Sequence, residues 1–112
     1  MTRDRDKGRN HGGKTEMSVI YIAGPITGVK HYQRNFRAAE LRLKLAGYTV
    51  FNPAKLPKGL PWEVYMPICY AMIDACDIIY FLKNWHRSKG ACLEYEHAMN
   101  HSMTVNFEEK NP

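Results

Sequence analysis

Ile78-Ile79-Tyr80-Phe81-Leu82, a polar loop from Lys83 to Arg87, and then Ser88-Lys89-Gly90-Ala91-Cys92-Leu93-Glu94-Tyr95-Glu96-His97-Ala98 make up the stretch that decides the fold. The apolar run is short, β-branched and aromatic, the composition of a buried strand. Ser88 is an N-cap candidate for the helix that follows, because its hydroxyl can accept a first-turn N–H. Strand, loop and helix start, in that order, is where an α/β sheet presents a ligand. Gly90 and Ala91 keep the first turn bare, so a ligand can approach the backbone, and the free N–H groups there attract an anion such as phosphate. Glu94 follows one turn in, on a face that can point back into the crevice. Acidic residues also favour the first turn through the helix dipole, and most are solvated there. Spacing alone therefore leaves Glu94 open between a catalytic and a solvated role.

Upstream, Ser18-Val19-Ile20-Tyr21-Ile22-Ala23 reads as the first strand and Gly24-Pro25-Ile26-Thr27-Gly28 as its turn. Two glycines and a proline after an apolar strand make a tight loop whose backbone can approach a ligand, although an ordinary βα turn has the same composition. The turn is neither GxGxxG nor a P-loop, so no dinucleotide fingerprint is present and no cofactor is expected. A helix is predicted from about His31 to Ala46, with Tyr32, Phe36, Ala39, Leu43 and Ala46 on one face and Gly47 as its stop. Tyr48-Thr49-Val50-Phe51 is a short strand, followed by Asn52-Pro53 and a loop from Ala54 to Pro61 long enough to act as a lid or wall. The second helix is predicted from about Trp62 to Cys76. Pro67 falls inside it, marking either its true start or a kink. The third is predicted over Lys89 to Ser102 with Cys92, Tyr95, Met99 and Met103 as its core stripe, and Thr104-Val105-Asn106-Phe107 is the last strand. Alternating strands and helices predict an α/β domain: three layers, Rossmann- or flavodoxin-like, with a small parallel sheet of four to five strands and helices on both faces.

At 112 residues and 45% hydrophobic content the chain suits one domain, assigned to residues 17–112. Residues 1–16 show no apolar periodicity and are expected to form a disordered basic tail. They hold five basic and three acidic side chains of the 16 and 11 in the chain, so the formal +5 falls to +3 for the rest. A mildly basic body suits an anionic small ligand without requiring nucleic acid. No apolar run is long enough for a membrane span, and no signal-peptide pattern is present. Cys69, Cys76 and Cys92 form no CxxC and have apolar neighbours, as expected of reduced thiols in a cytoplasmic protein. Glu94, His97 and His101 fall near one helix face, but the spacing is not HExxH and no second cluster completes a tetrahedron, so no metal is expected. Cys92, on the core stripe, is no candidate nucleophile.

Taken together, Tyr21-Ile22-Ala23-Gly24-Pro25, Gly47-Tyr48-Thr49-Val50, Asn52-Pro53, Trp62 with Tyr65-Met66, Cys76-Asp77 and Trp85 to Glu94 resemble, in order, phage and bacterial proteins labelled DUF4406, nucleoside 2-deoxyribosyltransferase-like. The resemblance covers roughly residues 17–107. Gly90-Ala91-Cys92-Leu93-Glu94-Tyr95-Glu96-His97-Ala98 is similar to the G-T/V-x-x-E-x-G-x-A pattern of deoxyribosyltransferases and of deoxynucleoside 5′-monophosphate N-glycosidases. The resemblance implies Glu94 as nucleophile, Tyr21 as the residue that orients it, and Ser88 and Gly90 as holders of a 5′-phosphate. It also implies a homo-oligomer, a dimer or tetramer. Two positions depart from the pattern: Glu96 stands where the relatives carry glycine, and Cys69 near where they place an Asp that contacts the sugar.

The implied chemistry is cleavage of an N-glycosidic bond or transfer of a 2-deoxyribosyl group, on a nucleoside or its 5′-monophosphate. A carboxylate beneath the sugar stabilises an oxocarbenium-like state and can form a glycosyl-enzyme ester. Asp77, Asp74 or a water would supply the proton to the leaving base. Gly24, Pro25 and Ile26 would approach the ligand by their backbone, and Trp62, Tyr65 or Trp85 would wall the base, a role in which packing is the rival explanation. The alternative from another class is a non-catalytic nucleotide-binding module, such as a phage protein that captures a signalling nucleotide.

Overall fold

The computed structural model describes residues 18–109. The expected disordered tail, residues 1–16, lies outside the described residues. Strand β1 (Val19–Ala23) is followed by α1 (Tyr32–Leu45), β2 (Thr49–Phe51), α2 (Trp62–Asp74), β3 (Ile78–Phe81), α3 (Lys89–Asn100) and β4 (Thr104–Phe107). The strands form one parallel sheet in the order β2-β1-β3-β4. Among the described residues no helix is long and apolar enough to cross a membrane.

The centre of the sheet explains the layers. Ile20, Tyr21, Ile22 and Ala23 are all buried, as a strand covered on both faces must be. Successive side chains point to opposite faces. Ile20 and Ile22 pack against Phe36, Ala39 and Leu43 of α1. Tyr21 and Ala23 pack against Cys69 and Ile73 of α2 and Ala98 of α3. The result is the expected three-layer α/β architecture, with one helix on one face, two on the other, and four strands between them.

One open alternative closes and two local readings change. Helix α2 begins at Trp62 and runs through Pro67, with Val64 and Tyr65 donating backbone N–H groups to the Pro61 carbonyl, so Pro67 does not mark the start. Helix α3 ends at Asn100, two residues early, where Ser102 takes a positive φ of 54°. Its most buried positions are Ala91, Glu94 and Ala98, whereas Met99 is 43% exposed. Ranking side chains by hydrophobicity put the stripe on the methionines. Contact with the sheet instead selects small residues for close approach, and one carboxylate.

Strand order reverses direction at β1: the chain leaves it for β2 on one side and later returns to β3 on the other. The turns after β1 and β3 therefore diverge and leave a crevice beyond their C-terminal ends. Gly24 sits at the bottom of this divergence. A Cβ there would lie 2.9 Å from both Cβ and Cδ1 of Leu82, closer than carbon atoms pack. The Leu82 N–H is itself held by the Ala23 carbonyl at 2.8 Å, so the backbone cannot drift aside freely. Gly24→Ala is expected to destabilise the fold by about 1–3 kcal/mol through overpacking. Urea denaturation checks this, with Gly28→Ala as a comparison in which φ strain acts and no neighbour lies within 4 Å.

Candidate active site

Glu94 lies in the crevice and is only 5% exposed. It owes that position to how α3 begins. Ser88 caps the helix, its Oγ accepting the Ala91 N–H at 3.1 Å. The cap leaves the serine's own hydroxyl proton and the first-turn N–H groups of Lys89 and Gly90 without intrahelical partners. One turn on, Glu94 points to the sheet, where the Tyr21 hydroxyl donates to its Oε2 at 2.7 Å. Tyr21 is fully buried on the central strand. Burial, with the Glu94 charge beside it, pushes its phenol well above the ordinary range, so it acts as a fixed donor. The Cys69 thiol, also fully buried, lies against the same pair, and burial pushes it up to about 11.

Burial likewise pushes Glu94 up to about 7, against the lowering effect of Tyr21 and Cys69. A second buried carboxylate shows the contrast. Glu40 on α1 is 4% exposed, yet it is held at about 2. Burial alone would raise it, but Lys44 at 2.7 Å, Asn52 at 2.9 Å and Lys55 at 3.0 Å outweigh that effect. Glu94 has no ion-pair partner among the described residues. Two titratable groups of one kind, pushed apart by their surroundings, separate a structural role from a chemical one.

Glu94 opens onto a cavity of about 370 Å³, within the range of small-molecule sites. The candidates Gly24, Ile26, Trp62, Ser88 and Gly90 line it with Glu94. Tyr65 and Tyr32 add aromatic walls, Tyr32 from a position that the helix pattern assigns to the core face. The remaining wall is the loop after β2, from Pro53 to Leu60. Asn52 anchors it by accepting the Ala54 N–H at 2.8 Å while its amide donates to Glu40. Asn-Pro at the end of a strand was the available signal for this anchor.

A second cavity of about 800 Å³ shares Thr27, Trp62, Ser88 and Gly90 with the first and includes Pro25. Its other walls bring in Arg42, Lys83, Arg87 and Lys89. Arg42 is paired with Glu108 at 2.8 Å, and the Lys89 ammonium stands 5.4 Å over the Trp62 ring.

Three predicted residues lie elsewhere. Asp77 bridges the two central strands at their opposite end from the cavity, accepting the Val19 N–H at 2.9 Å and donating its own N–H to the Val19 carbonyl. Asp74, the last residue of α2, contacts His97 at 2.7 Å. Both sit at the N-terminal ends of the strands, away from the cavity. Trp85 stacks on Tyr95 at 5.0 Å and packs on Phe81 at 4.8 Å, so it belongs to the core. The departure at Glu96 is exposed and lines neither cavity.

Residues 18–107 match the family described as Domain of unknown function (DUF4406). The chain belongs to that family. No curated protein matches it. The DUF4406 match spans every strand and helix, and both Tyr21 and Glu94.

A carboxyl whose folded value is raised binds more protons in the folded state than in the unfolded one between the two values. Stability then falls as pH rises through that window. The gap between 4.5 and about 7 corresponds to a cost of the order of 3 kcal/mol once Glu94 is ionised. Glu94→Gln, which still accepts from Tyr21, is expected to be more stable than the wild type above pH 7 and to lose that advantage below pH 4.5. Chemical denaturation at the two pH extremes checks this.

Proposed function

We propose that this DUF4406 domain cleaves or transfers the N-glycosidic bond of a nucleoside or nucleoside 5′-monophosphate, with Glu94 as nucleophile. The observation that carries the reading is a buried carboxylate, aligned by Tyr21, at the edge of a small-molecule cavity beside a capped helix N-terminus. The likeness of Gly90 to Ala98 to deoxyribosyltransferases and nucleotide N-glycosidases supports it.

In this reading a Glu94 oxygen attacks the anomeric carbon as the bond to the base breaks. The bonding electrons leave with the base, which takes a proton from solvent, since neither Asp74 nor Asp77 reaches the cavity. The resulting glycosyl ester is opened by water, giving hydrolysis, or by a second base, giving transfer. Tyr21 holds the attacking group and does not give up its proton. Trp62, Tyr65 and Tyr32 wall the base. The Ser88 hydroxyl and the Lys89 and Gly90 N–H groups suit a 5′-phosphate, with Arg87 and Lys89 in the adjoining cavity adding positive charge. Assembly into a homo-oligomer is part of the proposal; Leu45, 89% exposed, and Leu41, 58% exposed, offer an apolar stripe on α1 for it.

A binding module without turnover is the second reading. Cys69, buried behind Glu94 near where the relatives often place a sugar-contacting Asp, favours it.

Free base released from a panel of deoxynucleosides and their 5′-monophosphates, followed by chromatography, separates the two. The wild type is expected to release base, and Glu94→Ala to lose that activity by about a thousandfold or more. Because the nucleophile must be ionised, kcat/KM is expected to rise with pH and level off above about 7. Unchanged turnover in Glu94→Ala refutes the glycosidase. Tight nucleotide binding with no base release establishes the module instead.

A further inference from the structure

At the other end of the domain, Asp74 at the end of α2, His97 in the last turn of α3 and His101, the residue that caps α3, each bring one coordinating atom within 4.8 Å of the other two. The two histidines stand side by side at the C-terminal end of α3, their ring centroids 4.3 Å apart. Sequence reasoning grouped them with Glu94, but Glu94 faces the cavity, and the third ligand comes from a different helix. We propose that these three side chains bind a divalent transition-metal ion of the zinc class, clamping the C-terminal ends of α2 and α3 together.

Four observations support the site. His97 Nε2 already lies 2.7 Å from Asp74 Oδ1; tetrahedral zinc, with bonds of about 2.1 Å, separates its ligands by about 3.4 Å, so a small opening admits the ion. The His101 Nδ1–H donates to the His97 carbonyl at 2.7 Å, which leaves Nε2 with the lone pair in the neutral ring. A metal-binding histidine is characteristically held by such a bond from its other nitrogen. The His97 ring is fixed between Tyr70, stacked at 4.5 Å, and His101 at 4.3 Å. Finally, α2 ends on Asp74 with no basic residue in its last turn, so its carboxylate adds to the negative end of the helix dipole beside the C-terminus of α3. A cation relieves that repulsion. Asp74 is 54% exposed, which gives the ion entry from solvent and leaves a coordination position for water.

The donor set of two imidazoles and one carboxylate suits zinc, cobalt and nickel over calcium or magnesium. The site is independent of the chemistry at Glu94. It secures the two helices that carry the cavity's walls from their far ends.

Titration of the full chain with zinc chloride in a non-chelating buffer, read by calorimetry, tests the proposal. One saturable site in the micromolar range is expected, and zinc is expected to raise the melting temperature. Asp74→Asn and His101→Ala, both changes at exposed positions, are each expected to weaken binding about tenfold or more. Circular dichroism of the metal-free variants verifies that they fold. Cobalt substitution is expected to give visible bands without thiolate charge transfer, which distinguishes this site from the cysteines. Absence of saturable zinc binding, binding unaffected by both variants, or a cobalt–thiolate spectrum overturns it.

Discussion

The buried hydrogen bond from the Tyr21 hydroxyl to Glu94, 2.7 Å long, ties the middle of the sheet to the second turn of α3. A carboxylate carried that far from water must be compensated or protonated. Here one neutral donor and a thiol compensate it in part, so its proton affinity rises to about 7 and no further. That balance requires Tyr21 on a strand covered on both faces and α3 pinned at its start by Ser88. It also requires a close fit between the β1 and β3 turns, which the absence of a Cβ at Gly24 allows.

The rest of the domain separates stability from chemistry. Glu40 is as little exposed as Glu94, but it lies nearer the surface and is ringed by two lysines and an asparagine, and its charge anchors the loop that walls the cavity. Glu94 lacks such partners among the described residues, so its ionisation works against folding in the neutral range. A site that weakens its own fold persists only where the surrounding core over-determines it. Ile20, Ile22, Phe36, Ile79 and Phe81, each fully buried, supply that core.

Much of this was legible in the residues. The apolar runs at Ile20 and Ile78 and the alternation with amphipathic helices give the three layers. Ser88, Gly90 and Glu94 mark the site because capping and bare backbone have local signatures. Contacts between distant elements were not legible. Asp77 was placed near the site by nearness in sequence, yet a residue that precedes a parallel strand must lie at the end opposite the loops that follow it. Trp85 offers an aromatic ring to either a ligand or the core, and only the packing of Phe81 and Tyr95 decides between them. The meeting of Asp74 with His97 depends on how α2 and α3 lie side by side, which no spacing within one helix records.

Everything above depends on Glu94 being a buried carboxyl, held by Tyr21, that titrates near neutrality. Carbon-13 NMR of protein labelled at glutamate side chains reads it directly, with Glu94→Gln assigning the resonance. The Glu94 carboxyl carbon is expected to titrate with a midpoint near 7, above the ordinary glutamate value. A midpoint at the ordinary value of 4.5 would contradict it, because it would place that carboxylate in water.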